Sequence, residues 1–359
     1  MDNKFSYSFS ADVVRVVAIL GVVIIHVTNA VYTRSDFFGG ATWWLSITLD
    51  SFSRISIPLF ILLSGYLLLA KDESVEKSIK RILTRIAIPF IFWLLFYLWY
   101  GGGIPYLGRI NLSIFEKIFR VDVYHLYFLV IIMGIYFVAP MIRSYLRSAS
   151  SVSQDYFMKA LLVIGMGEVL FQFLFHSCSE NFFIKWVPYV GLFVAGYLLT
   201  RNLDKFKTNK LVLGYSVWFV ATLIFNYLFY YFLQNNFSFL SPKGCLSHYT
   251  DYYLSINVVV MSVFAFLLLM KFQYEKLKSI SIFSNLIKSI AKASFGIYLI
   301  HPFIARFLEM QFQLAVDFSA LPILAIISLR LVLVFVISFL ITVIILKIPV
   351  LKLIVGGRQ

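Results

Sequence analysis

Histidines and arginines interrupt stretches that are otherwise almost wholly apolar, and their spacing suits proton transfer and oxyanion stabilisation. Arg15 and His26 lie eleven residues apart in the run 12–32. That is three helical turns, so they share a face about 16 Å apart along the axis. Asp12, one turn before Arg15, is placed to pair with it. Arg54 stands in the run 45–69, about ten residues from Trp43 and Trp44, at a depth of about 15 Å that matches His26. Pro58 frees a backbone carbonyl beside it and is expected to kink that helix. His301 and Arg306 fall in the run 290–311, and His125 opens the run 123–142, where a wet, interfacial position is expected. An imidazole in a low-dielectric pocket can take a proton from a hydroxyl, and a second imidazole or a guanidinium can steady an oxyanion. Such a cluster suits acyl transfer to an alcohol. A proton-coupled carrier fits the same residues less well, because carriers lean on carboxylates and Glu168 is the main acid in these runs.

Each arginine inside a membrane segment costs roughly 2.5–3.5 kcal/mol on insertion scales, so such residues face a bundle interior and mark sites or structural ion pairs. Arg330, the fourth in an apolar run, is expected to snorkel or to pair with a neighbour.

The elements that must position these residues are membrane spans. The chain is 61% hydrophobic and 13% charged, with 38 Phe and 22 Tyr, and its mean hydropathy is +0.88. A soluble domain is nearer half apolar and a quarter charged. Ten runs approach the roughly 20 apolar residues a crossing needs: 12–32, 45–69, 86–101, 123–142, 158–175, 186–200, 211–233, 252–270, 290–311 and 321–346. The third, fifth and sixth are short. Glu168 and Gln172 interrupt the fifth, so it and the sixth could form a shallow hairpin. The expected fold is an all-α, polytopic transmembrane helix bundle, one domain over 1–359, with no polar stretch long enough for a separate soluble domain.

Charge sets the orientation. With the N-terminus inside, 21 Lys and Arg fall on the inner side and six in outer loops. That bias, with an even number of spans, is expected to place both termini in the cytoplasm. The net charge of +14 is thereby explained without nucleic acid. The leading segment lacks the pattern of a cleaved signal peptide, since Asp12 and Arg15 stand inside its apolar run.

Several short patterns fall in order on these spans. They are Arg15-x10-His26, Ser53-Arg54-x3-Pro58-Leu59-Phe60-x3-Ser64-Gly65-Tyr66, Arg81 and Arg85 before Pro89, His125-Leu126-Tyr127-Phe128-Leu129 with Pro140, and Gly296-Ile297-Tyr298 with His301. Together they resemble the acyltransferase-3 family of bacterial membrane acyltransferases over nearly the whole chain. Arg81, Arg85 and Pro89 depart by one residue from the expected spacing, and Tyr127 stands where Trp is commoner. The Ser53-Arg54-x-Ser56-x-Pro58 span, without a fused extracellular hydrolase domain, is most similar to members that O-acetylate an envelope glycan.

The resemblance implies acetyl-CoA as a cytoplasmic donor, a glycan or lipid-linked saccharide acceptor, and a multi-pass home in the bacterial cytoplasmic membrane. Succinyl and other acyl groups occur among relatives. On this basis His26 is the candidate general base, with Arg15, Arg54 and His301 in the catalytic set. Arg15, Arg81 and Arg85 are expected to hold the coenzyme A phosphates. His125, Arg306 and Tyr298 are candidates for acceptor binding. No metal is expected, and a homo-oligomer is compatible with the sequence. A glycan flippase or exporter is the alternative.

Weaker signals have plainer readings beside them. The run Phe225–Phe232 suits sugar stacking or, more simply, a membrane aromatic belt. Asp251, Tyr252, Tyr253 and Asn257 could bond sugar hydroxyls. Cys178 and Cys245 fall in outer loops, where a disulfide, a zinc set with His176 and His248, or unpaired thiols are all permitted. Glu168 could pair with an arginine or relay protons.

Overall fold

A computed structural model describes residues 8–33, 35–100, 124–175, 183–235, 249–312 and 323–357. Among these every regular element is a helix. Helix α1 (Phe9–Tyr32) is capped by the Ser8 side chain, which accepts from the Ala11 amide. It is followed by α2 (Ala41–Ser53), α3 (Ser56–Leu69) and α4 (Val75–Ile82); a π-turn, Leu83–Ala87, then leads into α5 (Ile88–Tyr100). The later helices are α6 (Tyr127–Ser148), α7 (Ser151–Leu174), α8 (Val190–Thr200), α9 (Thr208–Gln234), α10 (Ile256–Lys271), α11 (Glu275–Ser279), α12 (Ser281–Phe312) and α13 (Ile323–Lys347).

Eight stretches among the described residues are long and apolar enough to cross a membrane, with Ala41–Leu69 counted as one. The two other expected spans are also helical. Val187–Thr200 is shorter, and α12 carries Lys288, Lys292, Arg306 and Glu309 along its 32 residues. Two lengths differ from expectation. The third run extends over Val75–Tyr100 because the basic α4 and the π-turn continue into α5. The fifth, at 24 residues, is a full crossing rather than half of a shallow hairpin. Its Gln172 donates to Glu168 at 2.7 Å, so the two polar side chains satisfy one another without breaking the helix.

Helix α1 packs against α2, α3, α10, α12 and α13, which makes it the central strut. The crossing Ala41–Leu69 is broken at Arg54–Ile55 rather than merely bent. Pro58 lacks the N–H that would donate to the Arg54 carbonyl, so the helical ladder is interrupted there. Gly21 of α1 faces this break, where an added Cβ would lie 2.6 Å from Ser56 Oγ. Farther along α1, His26 lines the same cavity as Arg54.

Helices α3 and α8 pack backbone to backbone. A Cβ on Gly65 would collide with the Phe193 carbonyl, and one on Gly196 with the Leu62 carbonyl. Neither backbone can yield as a flexible side chain would. Gly65→Ala or Gly196→Ala is therefore expected to destabilise the protein by about 1–3 kcal/mol, the usual range for overpacking. The check is the thermal unfolding midpoint in detergent, and unchanged midpoints for both variants would contradict this packing.

On the opposite end, Arg143 ties down the turn between α3 and α4. It donates to the Glu73 carbonyl at 2.8 Å and to the Leu68 carbonyl at 3.0 Å. Arg81 pairs with the Glu73 carboxylate, so this turn also fixes one of the expected phosphate-binding arginines.

Candidate active site

One face of α1 lines a cavity of about 870 Å³. Val22, Ile25, His26, Asn29, Tyr32 and Thr33 recur at helical spacing along it. The His26 ring is exposed to this space. Behind it stand two further imidazoles. The His301 ring centroid lies 4.9 Å from that of His26, and His125 lies 5.3 Å from His301 and 6.4 Å from His26. His301 is 0% and His125 4% exposed.

His301 Nδ1 lies 3.1 Å from the Ile297 carbonyl. A carbonyl only accepts, so this nitrogen carries the proton and Nε2 of the neutral ring carries the lone pair. Nε2 is buried and has no hydrogen-bond partner within the structure. The cluster therefore holds unspent basic nitrogens next to His26, and His125 also lines the cavity.

The burial of His125 corrects the expectation of a wet interfacial residue. His125 sits in a 3-10 turn, Tyr124–Leu126, that α12 draws inward. The Tyr298 hydroxyl donates to the His125 carbonyl, and Tyr97 donates to the Leu299 carbonyl at 2.7 Å. Both tyrosine rings pack edge-on against the His125 ring, at 5.0 and 5.3 Å. Tyr298 lines the cavity, but its hydroxyl is committed to this strap.

Arg54 reaches the cavity at the break in the second crossing and is 8% exposed. Its Nε donates to Asp50 Oδ2 at 2.7 Å, and Nη2 to Asp50 Oδ1 at 3.1 Å and to the Tyr32 hydroxyl at 2.6 Å. Nη1 donates to the Asp251 carbonyl at 3.0 Å. Tyr32 in turn donates to Asp251 Oδ2 at 3.1 Å. Four of the five guanidinium N–H groups are thus used, which leaves one on Nη1 for a ligand. The charge of Arg54 also acts on His26.

Asp50 and Tyr32 were not singled out from the sequence. The Asp50–Arg54 spacing of four residues is itself an ion-pair signal on a helix, whereas Tyr32 meets Arg54 only through the tertiary fold. Asp251, Tyr252 and Tyr253, the candidates for bonding sugar hydroxyls, line the cavity. Asn257 is instead buried, donating to Thr222 at 3.2 Å. The aromatic run in α9 packs on α2, with Tyr227 stacked on Trp44 at 5.3 Å, and does not line the cavity. Arg306 is exposed outside the cavity walls, and Arg330 pairs with Glu309 at 3.1 Å. His176, Cys178, Cys245 and His248 lie outside the described residues. Among the described residues no three His, Cys, Asp or Glu side chains are placed to share a metal ion.

The remaining expected residues gather at the other end of α1. Arg15 pairs with Asp12 at 2.5 Å. The charges of Arg81, Arg15 and Arg85 all act on the Tyr136 hydroxyl, which shares a 3.2 Å hydrogen bond with Ser64. The three arginines therefore lie within electrostatic range of Tyr136, with Arg85 in the π-turn. None lines the cavity. Arg15 lies seven residues before Val22, about 10 Å along the axis.

A search of the curated proteins and of the solved structures finds no match to the chain. The family model described as "Acyltransferase domain", acyltransferase-3, matches residues 9–347. That match covers the central strut, the imidazole cluster and the three arginines alike, and it makes the chain a member of the acyltransferase-3 family.

Proposed function

We propose that this membrane acyltransferase moves an acyl group, acetyl first, from cytoplasmic acyl-CoA to a hydroxyl of a cell-envelope glycan or lipid-linked saccharide. The observation that carries this reading is His26, an imidazole open to a large cavity and backed by His301 and His125. Coenzyme A docks at the inner mouth, where Arg15, Arg81 and Arg85 suit multidentate phosphate binding. Its pantetheine arm carries the thioester along α1 toward His26.

His26 takes the proton of the acceptor hydroxyl as the oxygen attacks the thioester carbon. The remaining Nη1 hydrogen of Arg54, or the His301 imidazole, steadies the tetrahedral oxyanion. Collapse breaks the C–S bond, and the departing thiolate takes the proton from His26. An acyl-His26 intermediate would give the same products in two steps. With both termini in the cytoplasm, the cavity faces the far side of the bacterial cytoplasmic membrane, where an envelope glycan is found. The Ser53-Arg54-x-Ser56-x-Pro58 span is most like that of the O-acetyltransferase of enterobacterial common antigen, which favours acetyl over succinyl.

The test is release of free coenzyme A thiol by purified protein given acetyl-CoA and an envelope glycan extract. Wild type is expected to release thiol in step with acyl ester on the glycan. Arg81→Ala and Arg85→Ala are each expected to raise the acetyl-CoA KM about tenfold, the loss of one charge-assisted phosphate contact. Thiol release without ester, or an acetyl-CoA KM indifferent to both substitutions, would contradict the reading.

A further inference from the structure

Resting on that reading, we propose that Glu168 and Gln172 of α7 form an acceptor subsite that receives neighbouring hydroxyls of a neutral pyranose. Helix α7 is the least covered of the long helices between α1 and α12 that border the cavity, with only Met158 and Gly165 buried. Much of its surface is exposed, as Ile164 is at 60%. A carboxylate within such a crossing is expensive unless it is paired or serves a site. Yet Ile164, Glu168 and Gln172, spaced four residues apart, form one stripe and all line the cavity that His26 faces.

Among the described residues no lysine or arginine pairs with Glu168. Its partner is Gln172, whose Nε2 donates to Oε1 at 2.7 Å. That bond fixes the carboxylate and leaves Oε2 and the Gln172 carbonyl oxygen as acceptors. An ionised carboxylate only accepts, so the group that fits it is a donor. Two neighbouring sugar hydroxyls supply donors at the required closeness. Asp251, another carboxylate lining the cavity, is already engaged by Tyr32 and Arg54. Glu168 is therefore the one with accepting capacity to spare.

The other walls suit the same ligand. Tyr127, Tyr189, Tyr252 and Tyr253 border the cavity, and aromatic side chains suit the apolar face of a pyranose. Lys185 Nζ lies over the Tyr127 ring at 5.3 Å. The volume, about 870 Å³, is that of a small-molecule site. A uronate would bring its carboxylate against Glu168, which selects a neutral sugar.

The test measures binding without requiring transfer. Methyl pyranosides of glucose, galactose, mannose and N-acetylglucosamine, and methyl glucuronide, are titrated into nanodisc-embedded protein and followed by ligand-observed NMR. At least one neutral pyranoside should bind wild type more tightly than the glucuronide. Glu168→Gln should raise its Kd at least about tenfold, the loss of one charge-assisted hydrogen bond, with the unfolding midpoint and the acetyl-CoA Kd unchanged. Should Glu168→Gln fail to fold, Gln172→Leu, which removes the orienting amide, is read in the same way. No binding by wild type, tighter binding of the glucuronide, or equal binding by the variant overturns the subsite. Sugar binding that responds to Glu168→Gln in a protein that never consumes acetyl-CoA upholds the subsite and contradicts the transfer reading instead.

Discussion

His26→Ala is expected to lower acyl transfer by about 10²–10⁴-fold, the range supplied by a positioned general base, while the protein stays inserted and folded. The two halves of this expectation have separate causes. The imidazole faces the cavity, so no other group described in the structure stands between it and a substrate there. Removing it enlarges a space that is already open, and the sealed-void penalty of a core truncation does not arise. His301→Ala differs, because His301 is 0% exposed and its loss leaves a closed hole as well as an altered cluster. The comparison is read from transfer rate and thermal midpoint together. A rate in His26→Ala within a few fold of wild type would remove His26 from the chemistry. A collapsed midpoint would make it a structural residue.

The second large effect concerns Arg54. One guanidinium here faces two carboxylates, Asp50 at 2.7 Å and Asp251 at 3.5 Å, with Asp50 0% exposed. Arg54→Ala leaves both acids inside the bundle without a counter-charge. Breaking a buried pair in this way costs about 3–5 kcal/mol, so a lower unfolding midpoint and loss of activity are expected together. Arg54→Met combined with Asp50→Asn removes one of the orphaned charges and should recover part of that stability. Arg54→Lys should also fall short of wild type, because a single ammonium cannot reproduce four directed donors. If Arg54→Ala were within about 1 kcal/mol of wild type, the network would have to be hydrated and of little structural weight.

Much of this arrangement was legible because helical spacing is a direct consequence of backbone geometry. The shared face of Arg15 and His26, the Asp12–Arg15 pair and the depth match with Arg54 all follow from residue counting. The meeting of His26 with His301 is a tertiary contact that spacing within either run does not encode. Three further features were not legible. The burial of His125 depends on the Tyr298 and Tyr97 hydroxyls pulling a 3-10 turn against α12, and no periodicity encodes that. Sequence predicts a kink at Pro58 rather than the break at Arg54–Ile55, since it shows the missing N–H but not how the chain absorbs it. Asp50 was overlooked although its spacing to Arg54 was in plain view. In sequence Glu168 and Gln172 interrupt an apolar run, whereas on a continuous helix they form a polar stripe lining a cavity.

The proposed role of Arg15, Arg81 and Arg85 is to bind an acyl-CoA. Calorimetric titration of purified wild type and Arg15→Ala with acetyl-CoA tests it most directly. Micromolar binding that weakens in Arg15→Ala is the predicted result. A well-folded wild type that binds neither acetyl-CoA nor any other acyl-CoA would contradict it and favour a transport role for this fold.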